Sequence, residues 1–409
     1  MDCLMIVQVI IDVKSTKYKS NIENLGYNYG KNKYKETNAV RILHINSYYS
    51  TSGFYKNLFD KQQASGIDIS VYVPVTKCAR ISTLNLGEYT IKSANHSKYD
   101  RVIFHIKQRK IYADIVKTYK MEAFDLVHAH SLFSNGNIAL RLKKTYGIPY
   151  IVAVRNTDVN TFFKYMIHLR KQGVNILKEA EKIIFLSESY RDFVIEKYVP
   201  TKLKSEIFNK TKIIPNGIDD FWFQKINISK KNVKESNLRL VYAGVINKNK
   251  NVMTTVKAIK ILQQRGYKVQ FTVVGRIADK NIHQQIISLP FVKYIEPKPK
   301  EELLEIYSAH DIFIMPSITE TFGLVYAEAM SQGLPVIYTK GQGFDRQFEE
   351  GKVGYHVDCF NAEEIAQRII DICSDYQSMS QRCRVLSDKF DWKNIVPVYT
   401  EVYNSTVLI

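Results

Sequence analysis

Met315-Pro-Ser-Ile-Thr-Glu-Thr-Phe-Gly-Leu-Val-Tyr-Ala-Glu328 decides how this chain is read. The apolar run Asp311–Met315 reads as a buried strand, a polar loop then carries Glu320, and Phe322-Gly323-Leu324 opens a helix that runs to Ser331. A helix start has free N–H groups and the positive end of the dipole, which together hold a phosphate without any side chain. Gly323 lets a ligand come close to the main chain. Glu328 lies further in, roughly a dozen ångström from Glu320 if the whole span were helical, so carboxylates stand on either side of the anion site. Two acceptors flanking a diphosphate suit a ligand with hydroxyls at both ends, a nucleoside diphosphate sugar. Taken alone, the same residues also fit a polar helix start whose Glu answers the dipole.

Outward from this segment, strands alternate with helices. Leu238–Ala243, Val269–Val274, Val292–Ile295 and Pro335–Tyr338 read as strands, with helices near Asn251–Arg265 and Lys300–Ala309. A second series precedes it: strands at Arg41–Asn46, Ile67–Val73, Asp125–His130, Pro149–Val154 and Lys182–Leu186, with helices at Phe54–Ala64, Gly136–Tyr146 and Ser189–Lys197. Such alternation predicts parallel sheets covered on both faces, hence an α/β fold of two doubly wound units with the ligand in the cleft between them. A length of 409 residues also exceeds one compact core. Between the units lie the turn Ile213-Ile-Pro-Asn-Gly-Ile-Asp219 and a polar, linker-like stretch, Lys225–Asn237. Residues 1–40, rich in Lys, Asn, Tyr and Gly, have no periodicity and are expected to be a disordered leader, or sequence upstream of the real start.

Composition narrows the function classes. With 45% hydrophobic and 24% charged residues the chain is globular. Five scattered cysteines without a Cys-x-x-Cys pair argue against a zinc module or a disulfide framework and for a reducing compartment. No run approaches about 18 apolar residues, and Met1–Val13 is broken by Asp2, Gln8 and Asp12, so neither a membrane span nor a signal peptide is expected. The expected location is the cytoplasm. The net charge of +18 is uneven: residues 41–215 hold 28 basic and 14 acidic side chains, residues 216–409 hold 24 and 22. That field attracts nucleic acid, anionic lipid or a phosphorylated substrate. Without an arginine-rich run or a nucleic-acid motif, no nucleic-acid partner is expected.

The motifs resemble glycosyltransferase family 4, the retaining transferases of the GT-B fold, from about Arg41 to Tyr403. The likeness is strongest from Leu238 to Val357. The hallmark is a pair of Glu separated by seven residues, met by Glu320 and Glu328. The resemblance implies two Rossmann-like domains facing across a cleft: residues 41–215 with a returning helix, 391–409, opened by Phe390-Asp-Trp392, and residues 216–390. It implies that Glu320 contacts donor-sugar hydroxyls, that Glu328 contacts the ribose, and that the amides of Phe322, Gly323 and Leu324 hold the diphosphate. Lys250 matches the lysine that neutralises the leaving diphosphate, and Gly244 and Asn251 match beside it. Val245 stands where the family has an arginine, with Lys248 or Arg276 as candidates to compensate. Gly275 is expected near the base, with Arg276 next to it, and Asn216 and Gly217 as turn residues.

On the acceptor side the family's His-Gly-x-Asp reads Arg155-Asn-Thr-Asp158, and Ser52-Gly53 replaces a glycine pair, which makes Gly53, Arg155 and Asp158 the acceptor-side candidates. A guanidinium is no base near neutral pH, though it grips anions. His128 and His130 are expected to make sheet-end hydrogen bonds.

The resemblance thus implies transfer of a hexose-type sugar from a nucleotide-sugar donor, UDP-linked first and GDP-linked second. The acceptor would be a glycan or polyprenyl-phosphate-linked chain of cell-surface polysaccharide synthesis. No cofactor is expected, and no metal, because the chain has no Asp-x-Asp. The implied chemistry is front-face attack, the departing phosphate taking the acceptor proton. The basic first half adds a peripheral position on the inner membrane face. Thr161–Ala180, which interleaves Phe162, Phe163, Met166 and Ile167 with Lys164, His168, Arg170 and Lys171, reads as one amphipathic helix, lying either on anionic lipid or on the core. A nucleotide-sugar epimerase or hydrolase, and a binding protein with little turnover, are the competing readings.

Overall fold

A computed structural model describes residues 40–51, 53–77, 85–97, 99–101, 103–224 and 237–407. The expected leader (apart from Val40), Ser52 and the linker-like stretch (apart from Asn237) lie outside the described residues.

The first sheet comprises β1 (Arg41–Ile45), β2 (Asp68–Thr76), β3 (Thr90–His96), β4 (Leu126–Ala129), β5 (Tyr150–Ala153), β6 (Lys182–Phe185) and β7 (Thr211–Ile213). All its pairs are parallel, in the order β3-β2-β1-β4-β5-β6-β7. The second comprises β8 (Asn237–Ala243), β9 (Lys268–Val274), β10 (Val292–Ile295), β11 (Ile312–Ile314), β12 (Val336–Thr339) and β13 (Gly354–Val357), parallel in the order β10-β9-β8-β11-β12-β13. In each sheet the order reverses beside the first strand. Doubly wound sheets bind ligands beyond the carboxyl ends of the strands at that reversal. In the second sheet this is where Ala243-Gly244 and Met315-Pro316 emerge.

The central strands formed as their sequences predict: β1, β4 and β5 are apolar runs buried on both faces. β3, β7 and β13 had no signal. Each is an edge strand, and an edge needs no second apolar face; β3 reads Thr-Ile-Lys-Ser-Ala-Asn-His.

Thr161–Ala180 corrects the expectation of one helix. Asp158–Phe163 forms a π-helical turn, Ile167–Leu169 a 3-10 turn, and the α-helix that follows is Arg170–Glu179. Arg170 breaks the ladder, donating from Nε to the Phe163 carbonyl (2.7 Å) and from Nη2 to the Lys164 carbonyl (3.3 Å), which takes acceptors a continuous helix would use. Val174, Ile176 and Leu177 face the core, while Tyr165 and Ile167, in the break, are 69% and 65% exposed.

The last helix, Trp392–Val407, packs onto the first sheet: Trp392, Ile395, Tyr399 and Tyr403 share a cluster with Ile42, Val71 and Ile151. A Cβ at Gly217 would sit 2.4 Å from the Trp392 ring, so this turn residue also makes room for the returning helix. Among the described residues no helix is long and apolar enough to cross a membrane.

Candidate active site

Two glycines set the shape of one cleft wall, and one of them, Gly244, lines it. At Gly275, φ is +147° and a Cβ would lie 1.9 Å from the Gly244 carbonyl oxygen, so only glycine lets the chains leaving β8 and β9 touch. Gly275 therefore shapes Gly244, which lines the cleft. Beyond it, Asn247 accepts from the Lys250 amide (2.9 Å) and caps a 3-10 turn, Lys248–Lys250. Asn251 follows with φ +56°, and its side-chain amide donates to the carbonyls of Pro316 (3.0 Å) and Cys359 (2.5 Å). That is a correction for Asn251: its amide ties the loops after β8, β11 and β13 together and is turned into the protein, so it positions its neighbour.

The neighbour, Lys250, pairs with Glu320 through Nζ and Oε2, with side chains 22% and 14% exposed. Glu320 is clamped from both sides. Asn249 donates from its side chain to the Thr319 carbonyl (2.9 Å) and accepts from the Thr319 amide (3.1 Å). From the loop after β12, Gln342 Oε1 accepts from the Glu320 amide (2.9 Å), and the Gly343 amide donates to the Glu320 carbonyl (2.8 Å). The sequence reading missed Asn249, Gln342 and Gly343. The signal for the last two was Gly341-Gln-Gly343, just beyond the strand Val336–Thr339.

Gly323, at φ +77°, turns the chain into the helix Leu324–Ser331; a Cβ there would meet the Tyr326 ring at 2.4 Å. Phe322 buries its ring against Phe344 and Phe390. The amides of Phe322, Gly323 and Leu324 have no protein acceptor among the described residues. Glu328 sits little more than one turn into this helix, because Pro316–Gly323 is not helical. Desolvation, and then the charge of Asp219, push its carboxyl up to about 7. The cleft, about 500 Å³, is lined on this side by Gly244, Val245, Lys250 and Glu320 to Val325, and on the other by Tyr48, Phe54, Tyr55, Arg155, Asn156, Thr157 and Asn216.

Comparison with known proteins accords with this geometry. A family model described as Glycosyltransferase Family 4 matches residues 54–220, and one described as Glycosyl transferases group 1 matches residues 223–385. The chain belongs to glycosyltransferase family 4. A D-inositol 3-phosphate glycosyltransferase of Paenarthrobacter aurescens is 24% identical over 306 residues, covering 69% of this chain and 73% of that protein. Two solved structures share the two-domain GT-B fold. A sucrose-phosphate synthase from Thermosynechococcus elongatus has a TM-score of 0.71 at 17% identity, covering 90% of this chain and 98% of that one. Anabaena HepE in complex with UDP-glucose has a TM-score of 0.65 at 18% identity, covering 89% and 99%.

On the other wall, this family 4 transferase departs from the expected roles. Asp158 is 1% exposed and accepts the amides of Leu132 (2.9 Å), Phe133 (3.0 Å) and Arg155 (2.9 Å). It joins the loops after β4 and β5 and does not face an acceptor, which corrects that assignment. Burial pushes its carboxyl up to about 6 even though those amides pull it down. Gly53 is also corrected: it is exposed at the start of the helix Phe54–Ala64, a Cβ there would meet nothing within 4 Å, and Phe54 and Tyr55 line the cleft in its stead. Arg276 and Lys248 are exposed and do not line the cleft, so neither supplies the cation absent at Val245. Arg155 does line it.

Among the described residues two groups have the composition of a cation site. His44, His128 and His130 offer ring nitrogens within 4.8 Å of one another, as do Asp345, Glu350 and His356 for their ligand atoms. The buried histidines are held neutral by desolvation. They spend nitrogens on a His44–His130 bond (3.0 Å) and a His128–Tyr403 bond (2.9 Å), the sheet-end role the sequence indicated. In the other group His356 bridges Asp345 (2.9 Å) and Glu350 (3.1 Å). Neither group lines the cleft.

Proposed function

We propose that the protein is a retaining glycosyltransferase that moves a hexose-type sugar from a nucleoside diphosphate donor to a glycan or polyprenyl-phosphate-linked acceptor in cell-surface polysaccharide assembly. Residues 216–390 hold the donor, and residues 41–215 with 391–409 shape the acceptor side. The observation that carries the reading is the set of three amides without acceptors, at Phe322 to Leu324, in the same cleft wall as the Lys250–Glu320 pair. In the reaction the bond between the sugar's anomeric carbon and the diphosphate breaks, and the negative charge on the leaving oxygen grows. Preorganised N–H groups and a lysine, aimed at that charge in a site shielded from water, do the work a metal does elsewhere. Glu320 turns from Lys250 to the sugar hydroxyls, and Glu328 takes the ribose hydroxyls. The acceptor's proton leaves with the departing phosphate: Arg155 is no base, and the nearby histidines are buried in the sheet ends.

UDP-sugars come first among donors because HepE was solved with UDP-glucose, and GDP-sugars second. The basic excess of residues 41–215, with Tyr165 and Ile167 exposed beside Lys164 and Lys171, supports an anionic membrane surface at the acceptor side and hence a peripheral position on its inner face. Incubation with a panel of UDP-, GDP- and ADP-sugars tests the reading. A nucleoside diphosphate is expected as product; an isomerised donor would make the protein an epimerase, and thermal stabilisation with no product would make it a binder. Sedimentation with anionic liposomes at low salt tests the membrane part, and a protein that stays in the supernatant removes it.

A further inference from the structure

Among the described residues three charged side chains line the cleft: Lys250, Glu320 and Arg155. The first two neutralise each other as an ion pair, so the net positive charge of the site is that of Arg155. A nucleoside diphosphate brings about two negative charges, and a neutral wall would leave them facing little but main-chain dipoles. Arg155 is only 8% exposed, and among the described residues no carboxylate pairs with it. The carboxylate in its own loop, Asp158, acts on Arg155 only through space, because its oxygens are held by three main-chain amides. The neighbouring His128 and His130 are buried and neutral, so they add no second positive charge. The guanidinium is held by neutral acceptors, Asn216 Oδ1 at 3.3 Å and the Tyr399 hydroxyl, and its Nε, though buried, has no protein partner. Burying a guanidinium that no carboxylate touches is costly, so its surroundings have a place for an anion.

We propose that Arg155 is the second cation of the donor site, gripping the diphosphate across the cleft in place of the side chain that Val245 lacks. This deepens the function proposed above and rests on it. As the anomeric carbon–oxygen bond to the diphosphate breaks and the bond to the acceptor oxygen forms, the leaving oxygen receives the acceptor's proton. Arg155 stays protonated throughout and stabilises the charge before that proton arrives. Because Arg155 comes from the first domain and Lys250 from the second, both cations reach the diphosphate only when the cleft is closed around it. Donor bound to the second domain alone therefore lacks one of them, which limits its loss to water.

The test is calorimetric titration of the full-length protein with UDP, GDP and the matching nucleosides, alongside turnover. Arg155→Gln is expected to weaken diphosphate binding by about tenfold or more and to slow turnover by about a hundredfold, with nucleoside binding unchanged. Arg155→Lys is expected to keep most of the affinity. Adding Val245→Arg to Arg155→Gln restores diphosphate affinity, because Val245 lines the same cleft. Unchanged diphosphate affinity in Arg155→Gln overturns the proposal, as does equal loss of nucleoside binding, which marks Arg155 as a brace for Asn216 and Tyr399. A double variant no better than Arg155→Gln overturns it too. If Arg155→Gln does not fold, Val245→Arg alone is expected to tighten diphosphate binding, and no gain overturns the proposal. Failure of the underlying function reads differently: the unaltered protein then binds none of the diphosphates.

Discussion

One added carbon at Gly343 should disable the site while leaving the fold in place. Gly343 is absent from the positive-φ glycines, so alanine meets no conformational penalty there. The obstacle is contact: a Cβ would lie 1.7 Å from the Thr321 carbonyl oxygen, 2.0 Å from its carbon and 2.6 Å from the Phe322 nitrogen. Reaching ordinary van der Waals separation, about 3.5 Å, requires the two loops to part by roughly 1.5–2 Å. The displaced atoms are the main chain immediately after Glu320, including one of the three amides without an acceptor. A misplacement of about 1 Å in a catalytic array costs about a hundredfold in rate, so Gly343→Ala should lose at least that much in kcat and weaken nucleoside diphosphate binding in parallel. Gly341 is the control. It has φ +75° and nothing within 4 Å of a Cβ, so Gly341→Ala should cost about 1 kcal/mol of stability with less effect on kcat. The assay is nucleoside diphosphate release against donor concentration, with thermal melting of both variants. If Gly343→Ala keeps kcat within about threefold of the unaltered protein, the loop after β12 does not set the position of Glu320.

Lys250→Ala should lower kcat by about 10²–10³-fold, and Glu320→Gln with Lys250→Ala should abolish turnover while the melting temperature stays within a few degrees; full activity in the double variant sinks the proposed chemistry. Asp158→Ala should destabilise by about 2–5 kcal/mol, because it strands three buried amides at once, and denaturant unfolding measures it. Glu328 titrates near 7 in the folded chain, above its unfolded value, so the folded state binds the extra proton between about pH 4.5 and 7 and stability falls as pH rises through that window. Asp158, raised to about 6, acts in the same sense. Glu328→Gln should then raise the melting temperature at pH 8 and leave it unchanged at pH 4, while weakening nucleotide binding; an equal shift at both pH values refutes the titration.

Local patterns carried most of the fold. Apolar runs of four to seven residues alternating with helical spans set two parallel, doubly wound sheets, because burial on both faces writes itself into consecutive residues. The strands that escaped, β3, β7 and β13, are edges and carry no such run. The segment from Glu320 to Leu324 was likewise legible, since a strand end, a loop carboxylate and a glycine opening a helix are neighbours in the chain.

What only the tertiary structure decided is which candidates face the cleft. Asn251 and Asp158 match the pattern as residue types, yet their polar atoms are spent on main chain from other loops. Asn251 reaches Pro316 and Cys359, 65 and 108 positions away, and Asp158 reaches Leu132, 26 away. Gly343 and Gln342 matter because they touch Glu320 from across the strand β12, and Arg155 matters because, among the described residues, no carboxylate touches its guanidinium. These are properties of contacts between distant positions. The chain determines them, but only by folding, since a residue's type states which bonds it can make and its neighbours in space settle which of them are already taken.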